Sequence, residues 1–281
     1  MQSVAMNKIT ISSLCNIEGI TRQAFYKEKQ VRQCKQNDEA TILDLVMQLR
    51  IKHPRMGGRK LFFELQSAFK EHNLVIGRDQ FFTILRNNQL LVSRKKKFMK
   101  TTYRDTSLPV FRNLLYDLKA SFPNEVWVSD ITYIDTQEGY MYLSLVTDLY
   151  SRKIVGYELS ESLESKETLK ALLKAIEELP SHCYPIHHSD RGSQYCSHEY
   201  VKVLTDRGLP VSMTEKNHCY ENCYAERVNG ILKDEYNLDM KFKTKAQAAI
   251  AVAQAICMYN NYRPHTSLNY RKPSQVHQLA A

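Results

Sequence analysis

From residue 124 onward the chain alternates two hydrophobic rhythms in a fixed order, and that order restricts the fold more than any other feature. Val126, Trp127, Val128, Ile131, Tyr133 and Ile134 are strand formers interrupted by a single aspartate, Asp130. Residues 140–146 and 154–157 predict two more strands, each after a short turn. Leu169, Leu172, Leu173, Ile176 and Leu179 then recur at helical spacing. Residues 184–188 and 210–213 predict a fourth and a fifth strand with a helix over 197–205 between them, and helices over 222–236 and 244–259 follow. The order β-β-β-α-β-α-β-α predicts a three-stranded meander extended by parallel strands, with helices on both faces. The expected class is α/β with a mixed sheet.

The first hundred residues read differently, as short helices. Ile11, Leu14 and Cys15 form a small apolar face, Gly19 breaks it, and Thr21 is placed to cap a second helix through Arg22, Ala24, Phe25 and Tyr26. A short helix, a glycine turn and a second helix form a helix-turn-helix pattern, one that any small helical hairpin shares. Ile42, Leu45, Val46 and Leu49 mark a further helix; Gly57 and Gly58 break the pattern before Leu61, Phe62, Leu65 and Phe69 resume it. Asp79 is placed to cap a last helix containing Phe81, Phe82, Ile84 and Leu85.

Charge separates the same two regions. Residues 1–100 carry 19 Lys and Arg against 8 Asp and Glu, whereas residues 101–281 carry 20 against 22. So uneven a split favours phosphate contact by the basic half over a general basic surface. Arg55, Arg59, Lys60 and Arg78 are expected at the exposed positions that would meet DNA, and the run Arg94, Lys95, Lys96, Lys97 would lie along a phosphate backbone or simply be solvated. The boundaries expected are a helix-turn-helix-like segment over 1–50, a second helical DNA-binding segment over 51–98 and a polar linker over 99–122. A catalytic core over 123–240 and a C-terminal helix and tail over 241–281 complete the chain.

Several classes are disfavoured. No run of about 18 apolar residues exists to span a membrane. The N-terminus lacks a secretory pattern, and the seven cysteines are odd in number and irregularly spaced, so reduced thiols and a cytoplasmic, nucleoid-associated location are expected. His218, Cys219 and Cys223 offer one Cys-x-x-x-Cys spacing without a second pair, which is poor support for zinc. No Gly-x-x-x-x-Gly-Lys loop appears, so nucleotide hydrolysis has no support.

Three acids fall where chemistry is plausible. Asp130 sits inside the first strand, Asp190 directly after the fourth in Ser189-Asp190-Arg191-Gly192, and Glu226 on the helix after the fifth. Neighbouring strands lie about 4.8 Å apart, so the first and fourth strands side by side would bring two carboxylates together under a third from the helix. Such a set suits a pair of divalent cations, and phosphodiester chemistry uses them. Taken alone, Asp130 reads equally as a structural ion pair or strand-end cap. The strand order is also the ribonuclease-H-like plan.

The spacing carries a resemblance. Asp130 precedes Asp190 by 60 residues, and 35 residues separate Asp190 from Glu226. This resembles the acidic triad of retroviral integrases and related transposases. Trp127 to Tyr133, His188 to Tyr195, and Asn222 to Arg227 with Leu232-Lys233 resemble, in order, three motifs of the OrfB transposases of bacterial insertion sequences, the IS-three group. Tyr259-Asn260, Arg263-Pro264-His265, Leu268 and Tyr270 resemble the closing signature of that family. Met56 stands before Gly57-Gly58-Arg59 where similar proteins often carry an aromatic residue.

The resemblance implies that Asp130, Asp190 and Glu226 bind two Mg²⁺ or Mn²⁺ ions and catalyse DNA strand cleavage and strand transfer at the element's ends. It further implies at least a dimer on DNA, and an upstream partner protein fused by ribosomal frameshifting. Lys233 lies seven residues beyond Glu226 on nearly the same helix face, either holding the scissile strand or solvated. His187 and His188 read as packing or capping groups at least as well as proton carriers. Arg191 contacts either phosphate or an acid, and Tyr195 and Tyr224 either stack on bases or pack. A nuclease that cuts without joining and a non-catalytic DNA-binding regulator are the rival readings; the intact triad and the closing signature speak against them.

Overall fold

The computed structural model describes residues 10–93, 110–116, 118–215 and 222–278. It divides into two compact units: residues 1–49 with 65–91, and residues 50–64 with 92–281.

The first unit is helical. In α1 (Ile11–Glu18), the Thr10 side chain accepts from the Ser13 amide, and Gly19 ends the helix at φ 66°. A left-handed residue there is the usual helix stop, and glycine adopts it without strain. The Thr21 hydroxyl accepts from the Ala24 amide, as expected, at 3.1 Å. The helix it starts is not separate from the one marked by Ile42. Instead α2 (Arg22–Lys52) runs unbroken for 31 residues and absorbs the separately expected helix at Ile42. No Gly or Pro interrupts that span. Its middle is held by local pairs, Arg32 with Glu28 at 2.6 Å and Gln33 with Asn37 at 3.3 Å. Ile42 and Val46 are buried, as are Leu65, Phe69 of α4 (Gln66–Glu71), and Phe81, Ile84 and Leu85 of α5 (Arg78–Asn87). Gly77, not Asp79, is the N-cap of α5; Asp79 lies in the first turn, where its charge meets the helix dipole.

The second unit begins with α3 (Gly58–Glu64). It is built on a five-stranded sheet of order β3-β2-β1-β4-β5. The strands are β1 (Val126–Thr136), β2 (Gly139–Asp148), β3 (Ile154–Ser160), β4 (Ile186–Ser189) and β5 (Val211–Met213). The first three pair antiparallel, and β4 and β5 extend them in parallel. This is the expected meander with parallel extension, a ribonuclease-H-like sheet.

Alternation along the strands assigns the two faces. Trp127 and Val146 pack with Ala171, Leu172 and Ile176 of α6 (Ser165–Glu177) and with Tyr200 and Leu204 of α7 (His198–Asp206). Ile134, Met141, Leu143 and Leu145 pack on the other face. Their partners are Val228, Ile231 and Leu232 of α8 (Cys223–Glu235) and Val252 and Ile256 of α9 (Lys245–Asn261). Each side chain of this size, fully buried, contributes roughly 1.5–3 kcal/mol. Gly156 permits close approach of β3 to α6: a Cβ there would collide with the Ala171 carbonyl.

Buried polar groups fix the start of β1. Asp148 is fully buried and accepts from the amides of Asn124 and Ser151, each at 2.7 Å. Asn124, at φ 60°, in turn accepts from the Trp127 indole N–H at 3.0 Å. The described part of the expected linker is irregular, yet the Leu114 amide donates to Ser212 Oγ, and the Met213 amide donates to the Arg112 carbonyl alongside β5. The chain closes with a 3-10 turn (Thr266–Leu268) and α10 (Pro273–Gln278). Among the described residues no helix is long and apolar enough to cross a membrane.

Candidate active site

Register brings the first two acids together. In the parallel β1–β4 pair, Trp127 lies opposite His187 and Val128 opposite His188. Two residues farther along each chain stand Asp130, still within β1, and Asp190, the first residue past the end of β4. Both line a cleft of about 620 Å³ whose other walls include Tyr133, Tyr140, Tyr142 and Gln194.

Each carboxylate is held. Asn229 of α8 donates its amide to Asp130 Oδ2 at 2.9 Å, and the Gly192 backbone N–H donates to Asp190 Oδ1 at 2.9 Å. The fit at Gly192 is close: a Cβ there would sit 2.9 Å from that same Oδ1, so a larger residue would displace the Asp190 carboxylate. Burial, and then the charge of Asp190, push the Asp130 carboxyl up to about 7, against the pull of Asn229 and the Ile131 amide; Glu226 adds a smaller push. Two carboxylates in one partly dehydrated cleft repel, and a cation between them relieves that repulsion.

Glu226 stands apart. It is exposed in the first turn of α8 and reaches Asp130 through charge. Among the described residues no three His, Cys, Asp or Glu side chains are gathered into a set able to hold a metal ion. Asp130 and Asp190 are therefore the assembled part of the expected triad.

Lys233 is half-buried, its ammonium 4.5 Å above the Tyr133 ring, a cleft wall. Burial lowers its pKa while Asp239 and Asp130 raise it. Asn229, one turn from Glu226 on the same helix flank, is a group that sequence reasoning passed over. Nothing in the sequence sets this amide apart from any other helix asparagine.

The remaining expectations divide. Arg59 is exposed. Lys60, expected at an exposed DNA-facing position, is not there: its side chain is 14% exposed and its ammonium is paired with Glu235 at 2.7 Å. Burial and the Arg263 charge lower Lys60 to about 8 against the raising effect of Glu235. Arg94, Lys95, Lys96, Lys97, His218 and Cys219 lie outside the described residues. His187 and His188 are 1% and 0% exposed. His187 Nε2 meets Ser129 Oγ at 2.8 Å and Tyr200 OH at 3.0 Å, and His188 Nδ1 meets Ser212 Oγ at 2.8 Å. Burial pushes His187 down to about 3, so it is neutral at physiological pH. These are core contacts. Tyr195 packs in the α6–α7 core while lining the cleft, and Tyr224 lies under the Arg152 guanidinium at 4.3 Å.

A mixed sheet of this order with paired acids at its parallel seam defines an integrase-type core. Residues 120–219 match the integrase core domain family, and residues 207–273 match a second family of the same description. An uncharacterised 31 kDa protein of insertion element IS600 from Shigella sonnei is 34% identical over 276 residues, covering 95% of this chain and 100% of that protein. The transposase InsF of insertion sequence IS3A from Escherichia coli K12 is 31% identical over 277 residues, covering 95% of this chain and 94% of that one. The chain belongs to this family of insertion-sequence transposases, and it is a polynucleotidyl transferase of the DDE type. A magnesium complex of the HTLV-2 integrase catalytic core is similar at 23% identity over 57% of this chain and 99% of that one, with a TM-score of 0.47. Strand order and register, not that likeness, define the fold.

Proposed function

We propose that the protein binds the ends of its insertion sequence and catalyses metal-dependent strand cleavage and strand transfer through Asp130, Asp190 and Glu226. The observation that carries this reading is the convergence of Asp130 and Asp190 on one cleft, where their charges repel. Their hard carboxylate oxygens suit Mg²⁺ or Mn²⁺. Two such ions, when bound, activate an oxygen nucleophile and stabilise the leaving oxygen. Glu226 would complete the set with DNA in place.

The chain's own groups do the positioning. Asn229 and the Gly192 amide orient the two carboxylates, Lys233 holds a phosphate of the scissile strand beside Tyr133, and Tyr133, Tyr140 and Tyr142 offer faces to splayed bases. Arg55, Arg59 and Arg78, with the run from Arg94 to Lys97, supply sequence-independent backbone contact. Two ends must meet, so a dimer or larger assembly forms on DNA, and an upstream frameshift partner adds a further DNA-binding segment.

Labelled DNA from the element's ends, incubated with the protein and Mg²⁺ or Mn²⁺, should yield joined products that chelator abolishes. Cleavage without joining would move the protein to the nuclease reading, and binding without either reaction to the regulator. A second readout needs no DNA. Millimolar Mg²⁺ or Mn²⁺ should raise the melting temperature of the wild type by a few degrees, on the order expected for ligand well above its Kd. The rise should vanish in Asp130→Asn; an equal rise in that variant would remove Asp130 from the metal site.

A further inference from the structure

On the opposite flank of α8 from Glu226, Asn229 and Lys233, a second concavity of about 230 Å³ is lined by Lys60, Arg152, Arg227, Arg263, Tyr259 and His265. At about 100° per residue, Tyr224, Arg227 and Ile231 point one way and the cleft residues the other, with the core stripe between. Among the described residues, four cationic side chains and no carboxylate line it.

What sets this concavity apart from a basic surface is its buried, unpartnered polar atoms. Arg152 Nη1, Arg263 Nη1, Tyr259 OH and His265 Nε2 are buried without a hydrogen-bond partner. Arg263 is 2% exposed, Tyr259 0% and His265 7%. Buried polar groups are rarely left so, because each forfeits its hydration. The carboxylate that reaches this cluster does not answer them. Glu235 accepts from Arg263 Nε and Nη2, each at 2.8 Å, and from Lys60 Nζ at 2.7 Å, leaving Arg263 Nη1 toward the concavity. Arg152 is placed with equal care. It sits at φ 66°, a conformation uncommon outside glycine, its amide donating to the Asp148 carbonyl at 2.9 Å and its guanidinium stacked on Tyr224.

A small, half-open, cationic space lined by unsatisfied polar atoms, two of them on guanidinium groups, fits one tetrahedral oxyanion, and its roughly 230 Å³ lies below the roughly 300–1,000 Å³ of sites that enclose larger ligands. We propose that this pocket receives a backbone phosphate of bound DNA, so that α8 grips the nucleic acid on both flanks. The proposal rests on the DNA-end reading of the cleft.

The test uses the full chain and its Arg152→Gln/Arg227→Gln variant, both side chains lying outside the Glu235 ion cluster. Inorganic phosphate should raise the melting temperature of the wild type saturably and leave the variant unmoved. The salt dependence of duplex DNA binding should also weaken in the variant, its log–log slope falling by about 1 because one phosphate fewer is neutralised. If the double variant does not fold, Arg227→Gln alone, at an exposed position, serves with the same two readouts. Equal phosphate stabilisation of wild type and variant would overturn the pocket. A variant deaf to phosphate whose DNA slope nonetheless equals that of the wild type would assign the pocket to a free anion and overturn the DNA assignment. Wild-type protein that responds to phosphate and binds DNA with the expected slope, yet never joins DNA, would overturn the reading of the cleft instead.

Discussion

Asp190→Asn should lower DNA cleavage and joining by at least about a thousandfold, near 4 kcal/mol of transition-state stabilisation, with DNA binding and the folded state retained. The substitution is close to isosteric. Its amide oxygen can still accept from the Gly192 N–H, so the turn after β4 keeps its geometry. What disappears is a negative oxygen donor at the parallel seam, and with it the second-largest influence raising the Asp130 carboxyl. Melting temperature without divalent cation should therefore stay level or rise slightly, while its cation-dependent increase collapses. This opposition, stability kept and chemistry abolished, separates a catalytic carboxylate from a structural one. A variant that joins DNA within tenfold of wild type, measured in single-turnover assays with Mg²⁺, would exclude Asp190 from the reaction centre.

The two acids of the seam were legible in sequence because each stands at a periodic signal. Apolar β-formers on both sides of Asp130 placed it within a strand, and a short apolar strand just before Asp190 placed that residue at a strand end; that the two strands are neighbours came only with the fold. The long helix α2 was not legible, for a physical reason. Periodicity marks only helices that bury a face, and residues 27–41 are almost entirely polar. That stretch stays helical through intrinsic propensity and pairs such as Glu28 with Arg32, which leave no hydrophobic rhythm. Lys60 was misplaced for a related reason. A lysine between two glycines and an apolar run reads as solvated, and its partner Glu235 lies 175 residues away in the chain. Asn229 likewise gains meaning only from the tertiary contact with Asp130. Local pattern sets out elements; the partners of charged and amide groups come from packing.

That distant partner makes Arg263 the position where stability should respond most. Arg263 is 2% exposed and grips Glu235 with two parallel hydrogen bonds of 2.8 Å, while Lys60 takes the same carboxylate at 2.7 Å. The cluster ties the end of α8 to α3 and to the Arg263-Pro264-His265 segment, where the Arg55 amide also donates to the Glu235 carbonyl at 3.2 Å. Removing one partner of a buried pair strands the other's charge, at a cost of about 3–5 kcal/mol. Arg263→Met should thus lower the melting temperature by roughly 10 °C. Replacing Lys60, Glu235 and Arg263 together by apolar residues of similar volume should recover most of that stability, since the desolvation cost goes with the charges.

The pH dependence fixes the sign. Burial alone would raise the Glu235 carboxyl, but hydrogen bonds and charge from Arg263 and Lys60 outweigh it and hold the group at about 2, below the ordinary 4.5. A depressed carboxyl contributes stability that is complete above its unfolded value and is lost as pH falls from about 4.5 toward about 2. Wild-type protein should therefore weaken steeply across that window, and Arg263→Met, already without most of the contribution, should weaken less. Parallel acid limbs for the two proteins in thermal unfolding would mean that the cluster is a consequence of packing between these segments, not a cause of it.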